Sequence, residues 1–305
     1  MKSFLLLTCT FLSFSLFATE SKVIHVEGST NTKGWMQYSS SEELNLKRLL
    51  ELLDRSPTGS KLLKQAQYKA SRAGQLLSDV IKVGEGSLTD TTLIRKFNPQ
   101  SPENVVYESR SVVYLNRHLN WDDALLDLAH ELTHFVYRES FNPYSDSFNA
   151  RDFIRGTIEG QGGEVQAFLT ECKVLKELFS KANHNRSHCL KVEDSEGQLS
   201  EVRAIQLFYH VGSYFDSFKQ QLNKRELAGS FSDLKDEKIN FISSAYGVPY
   251  PVAALMEFDL VMNKVCENDK KRLAYMQQGP QRGPASLTQT NSKFLATHEA
   301  RCRSK

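Results

Sequence analysis

Apolar residues recur every three or four positions between Asn120 and Tyr137, and this spacing predicts an α-helix with one buried stripe. Asn120 is the predicted N-cap, since its side chain can accept a hydrogen bond from the first turn. Pro143 marks the end of the helical pattern. The predicted buried stripe consists of Leu125, Leu128, Ala129, Leu132, Phe135 and Val136. A separate polar face is formed by Asp123, Asp127, His130 and His134.

The flanking regions show weaker patterns of the same kind. Helical patterns cover residues 44–53 and 62–81, with a break at Pro57 and Gly59. Residues 105–119 are rich in Val and Tyr and are predicted to be extended. Helical spacing returns at 202–222 and 252–265, whereas 277–292 has the composition of a mobile polar tail. The patterns predict an α+β fold that is mainly helical, with a small sheet before the helix at 120–137.

The polar face of that central helix carries the most informative residues of the chain. Residues 130–134 read His-Glu-Leu-Thr-His, so His130 and His134 lie one turn apart on one face. Two imidazoles at this spacing can bind one Zn²⁺ ion, and Glu131 then lies beside the open coordination position. The pattern therefore predicts a catalytic zinc site with Glu131 as general base.

A catalytic zinc site normally has three protein ligands, so a third ligand is needed. A third histidine six residues after His134 is excluded, because Ser140 stands there. A carboxylate from the next predicted helix is the other common source, and Glu164 is the first choice. Glu159 and Glu171 remain alternative ligands at this stage.

The chain resembles the gluzincin branch of the zincin metallopeptidases over about residues 105–180. In that branch, a Glu that is followed three residues later by Ala binds the metal, and Glu164 and Ala167 match this pattern. The resemblance implies a zincin-like catalytic domain at 105–275. It also implies that a strand near the metal helix offers its edge to a peptide substrate. Residues 112–116 are the candidate strand, although an ordinary packed strand fits them at least as well.

These residues together predict a secreted zinc metallopeptidase that hydrolyses peptide or protein substrates. Glu131 would accept a proton from the attacking water and pass it to the leaving amine. Asp127 could orient an imidazole, but a solvated charge is the preferred interpretation. Candidates for oxyanion stabilisation are Tyr209, His210 and Tyr214, although such aromatic spacing is more often found in a core. The alternative functions are a zinc amidase acting on cell-wall peptide or acyl linkages and a non-catalytic helical binding module.

The ends of the chain and its cysteines predict an exported protein. Residues 1–18 have the basic start, apolar run and small final residue of a signal peptide, and the run is too short for a membrane span. A helical region at 19–104 and a polar tail at 276–305 would flank the catalytic domain. Four cysteines follow the predicted signal peptide, and we expect disulfides between Cys172 and Cys189 and between Cys266 and Cys302. With 38 basic and 36 acidic residues, no nucleic-acid partner is indicated.

Overall fold

The computed structural model describes residues 33–98, 101–179, 188–227, 229–278, 292, 294–299 and 301–302. The predicted signal peptide lies outside these residues, as does most of the predicted polar tail. The helices are α1 Glu42–Leu53, α2 Pro57–Arg72, α3 Leu77–Val80, α4 Trp121–Tyr137, α5 Ala150–Ile158, α6 Glu164–Leu178, α7 Glu201–Phe208, α8 Phe215–Lys224 and α9 Tyr250–Gln278. The strands are β1 Ile81–Gly84, β2 Leu88–Asn98, β3 Ser101–Asn116, β4 Ile242–Ser243 and β5 Val248–Pro249. The predicted class, an α+β fold that is mainly helical, is confirmed.

The larger sheet has the order β1-β3-β2 and precedes the central helix α4, as predicted. Strand β3 pairs in parallel with β1 and antiparallel with β2. Residues 112–116 therefore belong to the central strand, so the prediction that they form the substrate-binding edge is wrong. The alternative interpretation, an ordinary packed strand, is correct.

The helical region predicted before residue 105 is only partly helical. Helix α2 begins at Pro57, whose fixed φ suits the first helical position, with Ser56 as the N-cap. It ends at Arg72, before the predicted end at residue 81, and Ile81–Gly84 and Leu88–Asn98 form β1 and β2. The polar and charged residues of β2 hide its strand character in the sequence, because its stability comes from a long pairing with β3.

Helix α4 is enclosed on all sides rather than along one stripe. Asn120 caps it by accepting a hydrogen bond from the Asp123 backbone at 2.9 Å, as predicted. All residues from Trp121 to Phe135 are buried, because α1, α2, α6, β2 and β3 all pack around the helix. The predicted polar face therefore lies in the interior, where its side chains need polar partners.

The later part of the chain packs around the same core. The helical pattern at 202–222 is interrupted, because α7 ends at Phe208 and α8 begins at Phe215. The pattern at 252–265 is part of the longer helix α9. Both predicted disulfides are present: Cys172–Cys189 joins α6 to a later turn, and Cys266–Cys302 joins α9 to the C-terminal segment. Among the described residues, no helix is long and apolar enough to cross a membrane.

Candidate metal centre

Helices α4 and α6 bring His130, His134 and Glu164 together in the interior. The Nε2 atom of His130 lies 3.5 Å from one Glu164 carboxylate oxygen, and the Nε2 atom of His134 lies 3.5 Å from the other. Ligand atoms bound to one tetrahedral zinc ion at about 2.1 Å lie roughly 3.4 Å apart. This buried group could therefore bind one metal ion, and all its ligand atoms lie within 4.8 Å of one another.

Two atoms of this group lack other partners, which supports the fit to a cation. The Nε2 atom of His130 and the Oε2 atom of Glu164 are buried and make no hydrogen bond within the described part of the chain. Buried polar atoms without a hydrogen bond are costly in a folded protein. A metal ion bound between them would satisfy both atoms at once.

The opposite nitrogen of each imidazole is held by the protein. His134 donates from Nδ1 to the carbonyl oxygen of Gly162 at 2.7 Å, and Nδ1 of His130 lies 3.3 Å from a carboxylate oxygen of Glu171. Such contacts fix the ring orientation and leave Nε2 available for a metal. Both imidazoles are thus oriented towards Glu164 before any ion binds.

The glycine-rich turn before α6 allows this arrangement. Gly162 has a φ of 67°, and an added Cβ would lie 2.2 Å from the backbone nitrogen of Arg138. Its carbonyl oxygen also accepts a hydrogen bond from Nε of Arg138 at 3.0 Å. Only glycine fits a left-handed conformation this close to a neighbouring backbone. The turn therefore brings the start of α6, and with it Glu164, against the end of α4.

The three candidate third ligands have separate roles in the structure. Glu164 is grouped with the two histidines, whereas Glu171 contacts the outer nitrogen of His130. Glu159 accepts a hydrogen bond from the Tyr209 hydroxyl at 2.9 Å and lies beside Arg155. The geometry therefore favours Glu164 as the ligand and gives Glu171 a supporting role.

Strong electrostatic interactions act within this buried group. Burial would raise the pKa of Glu164, but the two imidazoles and Arg138 outweigh burial and hold it well below its usual value. Burial would lower the pKa of His130, but the nearby carboxylates of Glu164, Glu171 and Glu131 raise it well above its usual value. The carboxylates around His130 therefore create a negative potential, which also favours a bound cation.

The proposed general base is also held in place. The Thr89 hydroxyl lies 2.8 Å from a carboxylate oxygen of Glu131 and 2.8 Å from its backbone carbonyl. Glu131 itself is only 1% exposed. Sequence analysis missed Thr89, because it lies on β2, a strand that the sequence did not predict.

Asp127 is buried, which contradicts the preferred interpretation of a solvated charge. It is 2% exposed and accepts a hydrogen bond from the Ser87 hydroxyl at 2.6 Å. Burial raises the pKa of this carboxyl well above its usual value, although the hydrogen bond opposes the shift. The prediction failed because Ser87 and the sheet close over this face of α4.

Tyr250, at the start of α9, is a further residue that the sequence did not indicate. Burial and the nearby carboxylates of Glu164 and Glu131 all raise the pKa of its phenol well above 10. The phenol thus remains a hydrogen-bond donor next to the ligand group. The residues that the sequence suggested for oxyanion stabilisation make other contacts. Tyr209 donates to Glu159, and His210 contacts Asn240 and Glu237. Tyr214 is partly buried and packs against the core.

Comparisons with known proteins found no relative of this chain. Protein-family models, curated proteins and solved structures all give no match to this chain. The function of the candidate metal centre is therefore inferred from its own residues.

Proposed function

We propose that the chain is a zinc-dependent metallohydrolase that cleaves peptide bonds. The observation that carries the proposal is the buried group of His130, His134 and Glu164, with Glu131 between the two histidines on α4. Two imidazoles and one carboxylate are a common ligand set of catalytic zinc in peptidases. The donor atoms, nitrogen and carboxylate oxygen, suit zinc better than the all-oxygen sites of calcium or magnesium.

The protein residues would divide the catalytic work. When bound, zinc supplies a Lewis acid and lowers the pKa of a water to about 7. Glu131 would take a proton from the attacking water and deliver it to the leaving amine nitrogen. Thr89 would hold the Glu131 carboxylate in the orientation for both transfers, through the contact described above.

Tyr250 is our candidate for stabilising negative charge on the substrate. A phenol with a raised pKa stays protonated at neutral pH and can donate a hydrogen bond to the carbonyl oxygen as charge develops there. Its position beside Glu164 supports this role. We expect Tyr250→Phe to lower kcat more than it changes KM, because the interaction would strengthen in the transition state.

Strand β2 is our candidate for aligning the substrate backbone. It lies at the edge of the sheet, and within the described residues it pairs only with β3. Its Thr89 contacts Glu131, so the start of this edge lies beside the proposed base. An extended peptide that adds beside β2, on the side opposite β3, through backbone hydrogen bonds would pass the metal centre.

An extracellular location is compatible with the two disulfides. We further propose that the chain is exported, on the basis of the signal-peptide pattern at residues 1–18. Zinc sites and disulfides can coexist in such a chain, because the four paired cysteines are separate from the zinc-ligand group.

The decisive functional test is Glu131→Gln in the full exported chain. Gln is nearly isosteric but cannot accept the proton, so we expect zinc content to stay at the wild-type level while turnover falls by about 100-fold or more. Glu201→Gln, at an exposed helix start, is the matched control. The assay should combine a peptide library, cell-wall fragments and bound-zinc analysis.

Each outcome of this assay separates the candidate functions. Zinc-dependent cleavage of peptides that is lost in Glu131→Gln supports the proposal. Cleavage of cell-wall fragments alone would favour the amidase alternative. Unchanged turnover in a zinc-loaded Glu131→Gln protein would show that Glu131 is not the base, and no cleavage by the wild type would favour a binding module.

A further inference from the structure

A cavity of about 100 Å³ lies between β2, α9 and the loop after α4. Two of its lining residues also contact the candidate metal centre. Thr89 hydrogen-bonds to Glu131, and Arg138 pairs with a Glu164 carboxylate oxygen at 3.1 Å. The cavity therefore begins where the proposed base and the proposed third ligand are held.

The walls of the cavity follow the regular spacing of two elements. Thr89, Thr91 and Leu93 recur every second residue along β2, and Glu257, Val261 and Val265 recur every fourth residue along α9. Arg95 on β2 then pairs with Asp269 on α9 at 2.6 Å, farther along both elements. The cavity thus extends away from the metal centre between a strand and a helix that run side by side.

The lining of the cavity becomes less polar with distance from the candidate metal centre. The polar residues Thr89, Arg138 and Glu257 lie at the end near the metal, since Glu257 interacts electrostatically with both Arg138 and Glu164. Asp90 and Glu139 also line the cavity, but the remaining lining is mostly apolar, with side chains of Leu93, Phe141, Phe148, Phe153, Val261 and Val265. An occupant would place polar atoms near the metal and apolar atoms deeper in the cavity.

The far wall is held by several contacts. Tyr144 lines the cavity, and the Arg95 guanidinium lies 3.8 Å from the centre of its ring. Arg301 donates to the Tyr144 backbone carbonyl at 2.9 Å, and the neighbouring Cys302 is bonded to Cys266 of α9. The depth of the cavity is therefore set by linked groups rather than by one mobile side chain.

We propose that this cavity is the specificity pocket and binds the apolar side chain of a substrate residue next to the scissile amide. An apolar protein cavity of about 150 Å³ can hold benzene, so one of 100 Å³ suits a leucine, isoleucine or methionine side chain better than an aromatic ring. The substrate class is thus a peptide with a medium-sized aliphatic residue at the cleavage site. This inference rests on the proposed function, but its test does not require turnover.

The test measures binding of small probes to the full chain in the Glu131→Gln background, where no cleavage would disturb the measurement. The probes are the N-acetyl amides of leucine, phenylalanine and glycine, titrated by NMR. We expect the leucine probe to bind roughly 10-fold or more tightly than the other two, since differences of this size follow from the fit of an apolar pocket.

Substitutions of Val261 test whether the probes bind in the cavity, which this residue lines. Val261→Trp should fill the space and abolish binding of the leucine probe, whereas Val261→Ala should enlarge it and strengthen binding of the phenylalanine probe. Val202→Trp, at a 65% exposed position on α7, is the matched control and should bind as the parent does. Zinc content and thermal unfolding verify that each variant is folded.

Several results would overturn the assignment. These are equal binding of the three probes, absence of binding to the parent, or retained leucine binding in folded Val261→Trp. Failure of the proposed function would look different, as a loss of zinc or of hydrolysis in proteins that still discriminate between the probes.

Discussion

Glu164 in the candidate metal centre and Glu257 in the neighbouring cavity both lie near the guanidinium group of Arg138. The pKa values of their carboxyl groups are nevertheless shifted in opposite directions. Burial raises the pKa of Glu257 to about 7, and Arg138 only partly opposes this. At Glu164 the imidazoles of His130 and His134 act together with Arg138, and they lower the pKa well below its usual value despite complete burial. The difference lies in the number of side chains that favour the ionised carboxylate, not in burial alone.

Glu164 thus belongs to a preorganised charged site, whereas Glu257 belongs to a mainly apolar cavity wall. The metal centre fixes each polar group through a second contact, such as Gly162 for His134 and Thr89 for Glu131. The described structure shows no hydrogen bond to the Glu257 side chain, although Arg138 acts on it electrostatically. We therefore expect substitutions in the metal centre to abolish metal binding, and substitutions in the cavity wall to change stability and selectivity.

The largest expected effect comes from Glu164→Gln. Loss of a charged ligand should weaken zinc binding by more than the roughly 10- to 100-fold that is typical of an outer-shell partner. Competition with a zinc chelator measures this directly. Glu159→Gln is the matched control and should bind zinc as the wild type does; a reversed order of the two variants would move the ligand to Glu159.

The second effect concerns the disulfides, each of which supports one of the two regions. Cys172–Cys189 anchors α6 of the metal centre, and Cys266–Cys302 anchors the C-terminal segment to α9 of the cavity. The double variant Cys266→Ser with Cys302→Ser should lose about 2–4 kcal/mol of unfolding free energy, because the cross-link no longer restricts the unfolded chain. Denaturant unfolding is the measurement. Zinc affinity should stay unchanged, and a large loss of it would show that the two regions are not separable.

A smaller effect is expected for Glu171→Gln, which keeps the shape of the side chain but removes the charge beside His130. Zinc affinity should fall roughly 10- to 100-fold, since an outer-shell carboxylate orients its imidazole and raises its basicity. Glu177→Gln on the same helix, at a side chain that contacts Ser56 and Thr58 instead, serves as the comparison. Equal zinc affinity in both variants would remove the supporting role of Glu171.

The smallest effect tests the charge of the cavity wall through pH. A carboxyl group whose pKa is raised from 4.5 to about 7 on folding costs stability as the pH rises through that window, and the full cost is present above pH 7. Glu257→Gln removes the cost, so we expect the variant to be more stable than the wild type by about 1–2 kcal/mol at pH 8. The advantage should disappear near pH 4.5. Thermal unfolding across pH measures it, and a pH-independent difference would contradict the raised pKa.

Features that depend on nearby residues could be predicted from the sequence. The cap at Asn120, the helix that follows it and the shared face of His130 and His134 all arise within a few turns of one helix. The glycine run before Glu164 likewise indicates the turn that precedes α6. Both disulfides could be predicted for the same reason, since cysteines that are near each other in the sequence pair readily.

Features that depend on distant residues could not be predicted in the same way. Thr89 contacts Glu131 from strand β2, which is rich in polar residues and lacks the usual alternation of apolar and polar positions. This strand forms because it pairs with β3. Tyr250 reaches Glu164 from a helix that starts 86 positions later in the sequence. The burial of Asp127 could not be predicted, because helical periodicity describes one helix and not the elements that cover it.

Anomalous diffraction at the zinc absorption edge is the most direct test of whether one metal ion is bound by His130, His134 and Glu164. In crystals of the zinc-loaded full chain, we predict a single strong peak within about 2.0–2.2 Å of Nε2 of both histidines and of a Glu164 carboxylate oxygen. A peak bound by Glu159 or Glu171 instead of Glu164, or no peak at this position in zinc-loaded crystals, would contradict the account.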